Sequence, residues 1–319
     1  MLTVGFDVGG TNVRGIALRP GSADPIASRR ALTRPDGDVG QGDALVDTIV
    51  ETVGQLAHDV GEPIDAVGLG IAALMDSNGT LRYAPNIPGI VDYPLVPRVA
   101  EQLSVPVISE NDATAATWAE SQFGAGVGYG HMVFVALGTG IGTGFVVNGR
   151  LLRGAHGYAG ESGHMTVQRN GPEHITGASG PWEYFASGNG LGAMARQWAA
   201  DGRVDVLIER AGSLDAIRGE HVSALLAEKD PAVDELISAF ADEVAIGMAG
   251  LVYVLDPEII VLGGGLVDLG DPLRARIEES LAGRILGAQY RPEVPVVSAK
   301  LGSSAGAIGA AALAADTLS

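Results

Sequence analysis

Two stretches, "LTVGFDVGGTNVRGIAL" (residues 2–18) and "HMVFVALGTGIGTGFVV" (residues 131–147), decide how this chain folds. Each is an apolar run, a glycine-rich turn and a second apolar run, the pattern of two strands joined by a tight connection. A third strand follows each: "IASRRAL" (26–32) after "GSADP", and "GRLLRG" (149–154) after an Asn-Gly dipeptide that favours a hairpin. The same three-strand opening therefore occurs twice, and alternating helices and strands follow both copies.

After the first copy, "DALVDTIVETVGQLAHDVG" (43–61) sets Val46, Ile49, Val50, Val53 and Leu56 at helical spacing. "DAVGLGIAAL" (65–74) reads as a buried strand and "VPVISEND" (105–112) as another; "DATAATWAESQFGAG" (112–126) is a helix closed by glycine. After the second copy come helices around 191–202 and 221–230. A long helix then starts from Asp230 as N-cap and Pro231 at its first turn, with Val233, Leu236, Ile237, Phe240, Val244 and Leu251 on one face. "PEIIVLGGGLV" (257–267) is a buried strand ending in three glycines, and "PVVSAKLGSSAGAIGAAALAADTL" (295–318) is a strand, a turn and a small-residue helix. The expectation is an α/β protein of two similar domains with a cleft between them and a hinge near residue 110.

Composition narrows the function. Apolar residues are 46% of 319, enough for a sizeable core, and two domains suit that length. The net charge of −18 speaks against a nucleic-acid surface, whereas a bound nucleotide can still be met by backbone amides and Mg²⁺. With no cysteine, disulfides, thiol catalysis and cysteine-ligated zinc are excluded. The first strand begins at residue 2 with no basic, apolar leader, and no uninterrupted apolar run reaches membrane-spanning length, so a cytoplasmic protein without membrane partners is expected.

The loops offer chemistry. "DVGGT" (7–11) and "GTGIGTG" (138–144) stand at equivalent places, where glycine lets backbone amides approach a phosphate; the plain alternative is a hairpin turn. "GTGIGTG" is followed by a strand, not the helix that a dinucleotide fingerprint needs, and no GxxxxGK[ST] occurs. "GGG" (263–265) ends a buried strand, either as a simple turn or passing under a flat ring. Asn111 and Asp112 stand between a strand and a helix, as a cap or as a cleft carboxylate able to take a hydroxyl proton, and the helix N-terminus is expected to keep Asp112 ionised. In "GESGHMTVQRNGPEHITGASGPWEYFASG" (160–188), Glu161 and His164 are three apart and Glu183 follows. They read as a metal pair, as polar groups for a polyol, or as a satisfied structural histidine.

The motifs "DVGGTN", "YAPNI", "ENDATAA", "LGTGIGTGFVVNGRLLRGAHGYAGESGH", "WEYFASG", "IIVLGGGL" and "LGSSAGAIGAA" resemble the ROK family of sugar kinases and sugar-responsive repressors. They are most similar to its bacterial ATP-dependent glucokinases. The resemblance implies two actin-like (ribonuclease H-like) domains, 1–110 with a C-terminal helix of about 304–319 packing back on it, and 111–303. It implies that Asp7, Gly9, Gly10, Thr11 and Asn12 face the phosphates and Mg²⁺ of ATP together with Thr139 and Gly140, and that Gly264 and Gly265 lie near the adenosine. Asn111, Glu161, His164 and Glu183, with Asn86, are implied to hold the sugar, and Asp112 to be the base for the 6-hydroxyl. The implied activity is glucose phosphorylation; another hexose (mannose, fructose, N-acetylmannosamine), polyphosphate as donor and a non-catalytic sugar sensor are the alternatives. A homodimer is common in the family. Its repressors carry a helix-turn-helix ahead of the first strand, for which residue 2 leaves no room.

Two departures stand out. The family's C-x-C-G-x-x-G-C-x-E loop, whose cysteines join the histidine of "GH" on a structural zinc, aligns with "HITGASGPWE" (174–183). His174, Thr176 and Pro181 replace the cysteines, so no zinc is expected and packing of Trp182, Tyr184 and Phe185 with hydrogen bonds must hold the loop; a remnant site using His164 and His174 is the alternative. "GIAALMD" (70–76) replaces G-x-P-G-x-x-D near the sugar.

Overall fold

The computed structural model describes residues 1–33, 41–84, 86–87, 89–174 and 176–318. Pro85 of "YAPNI", Ile175 of the 160–188 loop and the expected helix end at Ser319 lie outside them. The chain divides into two compact units, Met1–Gly130 with Gly144–Gly160 and Lys300–Ser319, and His131–Thr143 with Glu161–Ala299.

The first part of the chain runs β1 (Thr3–Val8), β2 (Asn12–Leu18), β3 (Ala27–Leu32), α1 (Gln41–Val60), β4 (Ala66–Ile71), β5 (Leu74–Met75), β6 (Leu81–Tyr83), β7 (Val91–Tyr93), α2 (Leu95–Leu103), β8 (Val107–Asn111) and α3 (Asp112–Phe123). The second runs β9 (Met132–Leu137), β10 (Ile141–Val147), β11 (Arg150–Leu151), α4 (Trp182–Ala186), α5 (Gly188–Ala200), α6 (Asp205–Ala211), α7 (Gly219–Ala227), α8 (Pro231–Leu255), β12 (Ile259–Gly263), α9 (Asp271–Arg284), β13 (Val296–Ser298) and α10 (Ala305–Asp316). The repeat seen in the sequence is a repeat of topology: the sheets are ordered β3-β2-β1-β4-β8 and β11-β10-β9-β12-β13. In each, an antiparallel hairpin edge (β1 with β2, β10 with β11) accompanies a parallel run (β1-β4-β8 and β9-β12-β13).

In the first unit, β1 and β4 are buried on both faces, as parallel core strands are. α1 covers one face with Leu45, Val46, Ile49, Val53 and Leu56. α10 covers the other and comes unusually close, because glycines line its path. A Cβ on Gly5 or Gly68 would fall 1.9 Å from the carbonyl oxygen of Ala307 or Ala310, and one on Gly309 would fall 1.7 Å from that of Ala115 in α3. This packing groups α3 with the first unit, so the sequence-based boundary at residue 110 remains a proposal about the functional hinge.

β3 is the exposed edge strand, and its Arg29 pairs with Asp59 on α1. The Asn-Gly turn between β10 and β11 has both residues at positive φ, 52° and 72°, which only such a pair adopts at low cost. In the second unit α8 starts as expected: Asp230 Oδ1 accepts from the N–H groups of Ala232 and Val233, and Pro231 opens the helix. α8 is long and apolar enough to cross a membrane by length and composition, but Leu236, Phe240, Val244 and Met248 are buried in the unit's core.

The carboxylate of Glu120 on α3, 0% exposed, accepts from the N–H groups of Ala125 (2.8 Å), Lys300 (2.9 Å) and Leu301 (2.8 Å). It thereby holds the two residues that lead the chain into the turn before α10. Glu120→Gln turns one acceptor oxygen into a donor facing N–H groups. We expect a loss of about 2 kcal/mol, from one or two buried donors left without a partner. Thermal unfolding should show it as a midpoint lowered by about 4–8 °C.

Candidate active site

Each unit carries its own set of the residues singled out above. In the first unit they gather at the carboxyl ends of β1, β4 and β8, where open α/β sheets place ligands. The Gly9–Asn12 turn closes through a bond from the N–H of Gly9 to the carbonyl of Asn12, 3.0 Å. Thr33, beyond β3, pins it from the side: its Oγ1 donates to the Gly9 carbonyl at 2.7 Å and its N–H to that of Thr11 at 2.9 Å. Thr11 and Asn12 are exposed at the tip. Gly10 lies so close to Asn86 that a Cβ would reach the Asn86 carbonyl oxygen at 2.3 Å. Asn86 therefore belongs with the first loop, through its backbone.

Asp7 sits opposite Arg14 on β2, and Arg14 opposite Arg30 on β3. Burial pushes the Asp7 carboxyl up to about 6; the neighbouring Asp112 adds to this, while Arg14 and Arg30 oppose it. Gly306, in the first turn of α10, faces both Asp7 and the backbone of Asp112. The amino-terminal end of α10 thus opens beside the loop, where free N–H groups and the helix dipole favour an anion.

Asp112 is the first residue of α3 and is half-buried. Its Oδ1 accepts from the N–H of Ala113 at 2.8 Å. Burial pushes its carboxyl up, and the backbone hydrogen bonds at the helix start, which favour the charged form as the sequence leads one to expect, offset only part of that. Asn111 is the N-cap, its Oδ1 accepting from Ala113 (3.0 Å) and Thr114 (3.2 Å), so its amide NH₂ is not used by the cap. The residue before it, Glu110, is buried and bonded to Arg153 Nε at 2.6 Å. Sequence reasoning missed Thr33, Glu110, Arg153 and Gly306, whose importance depends on partners far along the chain.

In the second unit, the Gly138–Gly140 loop is closed by a bond from Gly138 N–H to the Gly140 carbonyl (3.0 Å) and held by one from Gly188 N–H to the Gly138 carbonyl (2.7 Å). Gly264 packs against the strand end just before it. Its φ is +82°, and a Cβ there would come 2.4 Å from the Leu137 carbonyl oxygen, so glycine is required on both counts. Thr139, Gly140, Gly264 and Gly265 therefore belong to one glycine-lined end of the β9-β12 sheet.

Glu183 has two uses. Its Oε2 accepts from the N–H of Ile141 at 2.7 Å and lies where a Gly140 Cβ would be. Its Oε1 is 3.4 Å from His174 Nε2. Glu161 and His164 bracket a single 3₁₀ turn, Ser162–His164, and approach at 3.7 Å. Trp182, fully buried against Gly247 with its Nε1 donating to the Glu243 carbonyl (3.1 Å), fixes the start of α4 and with it Glu183.

The loop from Met165 to Trp182 is held by backbone bonds, among them Val167 N–H to the Gly180 carbonyl (2.9 Å), His174 N–H to Ala178 (2.8 Å) and Trp182 N–H to Met165 (2.8 Å). Tyr184 and Phe185 meet edge to face, 5.0 Å between centroids. A cysteine-ligated zinc does not fit: Thr176 and Pro181 offer no thiolate and the chain has no cysteine.

A family model described as "ROK family" matches residues 3–317. The chain is 35% identical to the glucokinase of Streptomyces coelicolor over 98% of its own length and 97% of that protein's. Its structure resembles that of a ROK family glucokinase from Streptomyces griseus in complex with glucose and AMPPNP, with a TM-score of 0.84, 34% identity, and coverage of 99% of this chain and 100% of that one. It likewise resembles a ROK hexokinase from Thermus thermophilus, with a TM-score of 0.83, 30% identity, and coverage of 100% and 99%. On its sequence, its repeated α/β topology and this full-length match, the chain belongs to the ROK family.

Proposed function

We propose that this chain phosphorylates glucose at the 6-hydroxyl with MgATP as donor. The observation that carries the reading is Asp112. A carboxylate stands half-buried at the start of α3, beside Asp7 and the first glycine loop, in a chain similar over its whole length to glucokinases. A resemblance to repressors alone gives such an acid no task.

In this reading Asp7, Gly9, Gly10, Thr11 and Asn12 face the phosphates of MgATP, and Asp7 is the acid nearest the cation it brings. Thr139 and Gly140 face the same phosphates through backbone amides, and Gly264 and Gly265 pass by the adenosine. Asn111 donates to a sugar hydroxyl through its NH₂, since its oxygen is committed to the cap. Glu161, His164 and Glu183 read the remaining hydroxyls. Asn86 contributes by fixing Gly10. Asp112 accepts the 6-hydroxyl proton as that oxygen bonds to the γ-phosphorus and the bond to the ADP oxygen breaks. Because the transferring phosphoryl group is loosely bonded at the transition state, the base works largely by orienting the hydroxyl. A carboxyl pushed up by burial is a better acceptor near neutral pH than an exposed one. A homodimer in the cytoplasm is the assembly the resemblance implies.

Asp112→Asn should bind glucose nearly as wild type and lose about 10²–10⁴-fold in kcat, the range of general-base contributions. Initial rates with MgATP and with polyphosphate across glucose, mannose, fructose and N-acetylmannosamine check this. Near-wild-type turnover in the variant removes Asp112 as base, and a rate on a hexose other than glucose keeps the mechanism and changes the substrate.

Asp7 predicts a pH-dependent stability. An acid whose folded pKa is raised, here from 3.8 to about 6, weakens the fold above that pKa and costs nothing below the unfolded value. Asp7→Asn should therefore be more stable than wild type at pH about 8, by up to about 3 kcal/mol. The gain should shrink as pH falls through about 6 and vanish near about 4. Thermal unfolding of both proteins across that range tests it, and phosphorylation should be lost in the stabilised variant.

A further inference from the structure

Among the described residues, His164, His174 and Glu183 each present one metal-ligating atom, and the three atoms lie within 4.8 Å of one another. They come from three separate places: the 3₁₀ turn Ser162–His164, the loop that follows it, and the first turn of α4. Two of the three are held from behind. His174 Nδ1 lies 3.0 Å from Thr176 Oγ1, which aims Nε2 at the group. Glu183 Oε2 is occupied by the N–H of Ile141, which leaves Oε1 toward the group. A histidine ligand oriented through its other ring nitrogen and a carboxylate with one oxygen anchored are the outer contacts that make a donor set rigid.

The spacing fits a single ion. Tetrahedral bonds of about 2.1 Å place donor atoms about 3.4 Å apart. His174 Nε2 and Glu183 Oε1 are 3.4 Å apart. The rings of His164 and His174 are tilted, with centroids 6.1 Å apart, and the ligating atoms of all three residues lie within 4.8 Å of one another. His174 and Glu183 are only 16% and 21% exposed, while His164 is 41% exposed, so a solvent molecule has access to a fourth position.

We propose that His164, His174 and Glu183 bind one divalent ion of the zinc class, a borderline cation suited to two imidazoles and a carboxylate. The ligand set has no sulfur: it keeps His164, has His174 where one cysteine would stand, and adds Glu183. The ion ties the Met165–Trp182 loop to α4. Because the loop already has its own backbone hydrogen bonds, removing the ion leaves the protein folded. The site shares His164 and Glu183 with the sugar contacts proposed above, but its occupation requires neither sugar nor nucleotide and can be measured without them.

The test is a titration of chelator-stripped, full-length protein with Zn²⁺ alone by calorimetry and with Co²⁺ alone by visible absorption. One saturable equivalent is expected, with the Co²⁺ spectrum of a four-coordinate nitrogen and oxygen site and no sulfur charge-transfer band. His174→Ala should weaken binding by about 100-fold, and Thr176→Val, which removes only the group behind the histidine, by about 10-fold. Far-UV circular dichroism confirms folding; if His174→Ala does not fold, His174→Gln takes its place with the same loss expected. Absence of a saturable equivalent in wild type, or equal affinity in the His174 variant, overturns the proposal. A kinase assay without activity leaves the titration unaffected, so failure of one reading is distinguishable from failure of the other.

Discussion

The first unit depends on how closely α10 approaches the sheet. Backbone packs on backbone at Gly5, Gly68 and Gly309, where even a methyl group would overlap a carbonyl oxygen. A protein interior transmits such a contact without slack. The consequence is positional: the last helix of the chain begins beside Asp7 and the backbone of Asp112, next to a loop formed by the first residues. Glu120 secures the approach from α3 by satisfying three backbone N–H groups near the turn into α10. Stability and site geometry are here the same contact, since the helix that closes the core also delivers its dipole to the first loop.

Against that rigid frame stand two acids in a place that favours neither charge. Burial raises both Asp7 and Asp112, and the neighbouring Asp112 raises Asp7 further. Arg14 and Arg30 return part of the cost to Asp7 across three strands in register. Such an arrangement is poor for folding; in the proposed reaction a cation arriving with the phosphate chain would relieve Asp7, and a proton from the hydroxyl would relieve Asp112. Sites of function are where such unfavourable pairings persist.

Much of this was legible in the sequence because it is local. The doubled strand–turn–strand openings, the Asn-Gly hairpin, the Asp230-Pro231 helix start and the face of α1 follow from short-range periodicity and turn chemistry, and the structure has them. The family motifs named the loop residues. What remained hidden is long-range. Thr33 pins the first loop from 24 residues away, Arg153 braces Glu110 from 43 away, and Gly306 reaches Asp7 from the far end of the chain. No spacing rule contains those pairings. The burial of Asp112 was hidden for the same reason: the helix N-terminus can be read locally, whereas burial depends on everything packed around it.

Glu183 shows how one side chain joins tasks that the sequence lists separately. Its Oε2 fastens the loop after β9 at Ile141, its Oε1 turns toward His174, and the buried Trp182 beside it fixes the start of α4. A carboxylate has two oxygens, so once one is spent on the glycine loop only one remains for a hydroxyl or an ion. The geometry of Gly138–Gly140 and the orientation of the remaining oxygen are therefore mechanically coupled: a ligand that pulls on Oε1 pulls through Oε2 on the Ile141 amide. In a family whose related loop is cross-linked by thiolates, such a pull is resisted by sulfur and metal. Here no thiolate is present, and Trp182 packed against Gly247 and a ladder of backbone hydrogen bonds resist it, with or without the proposed ion. Those contacts are individually weak and collectively directional, which is why this chain can lose every cysteine and still hold the carboxylate in place.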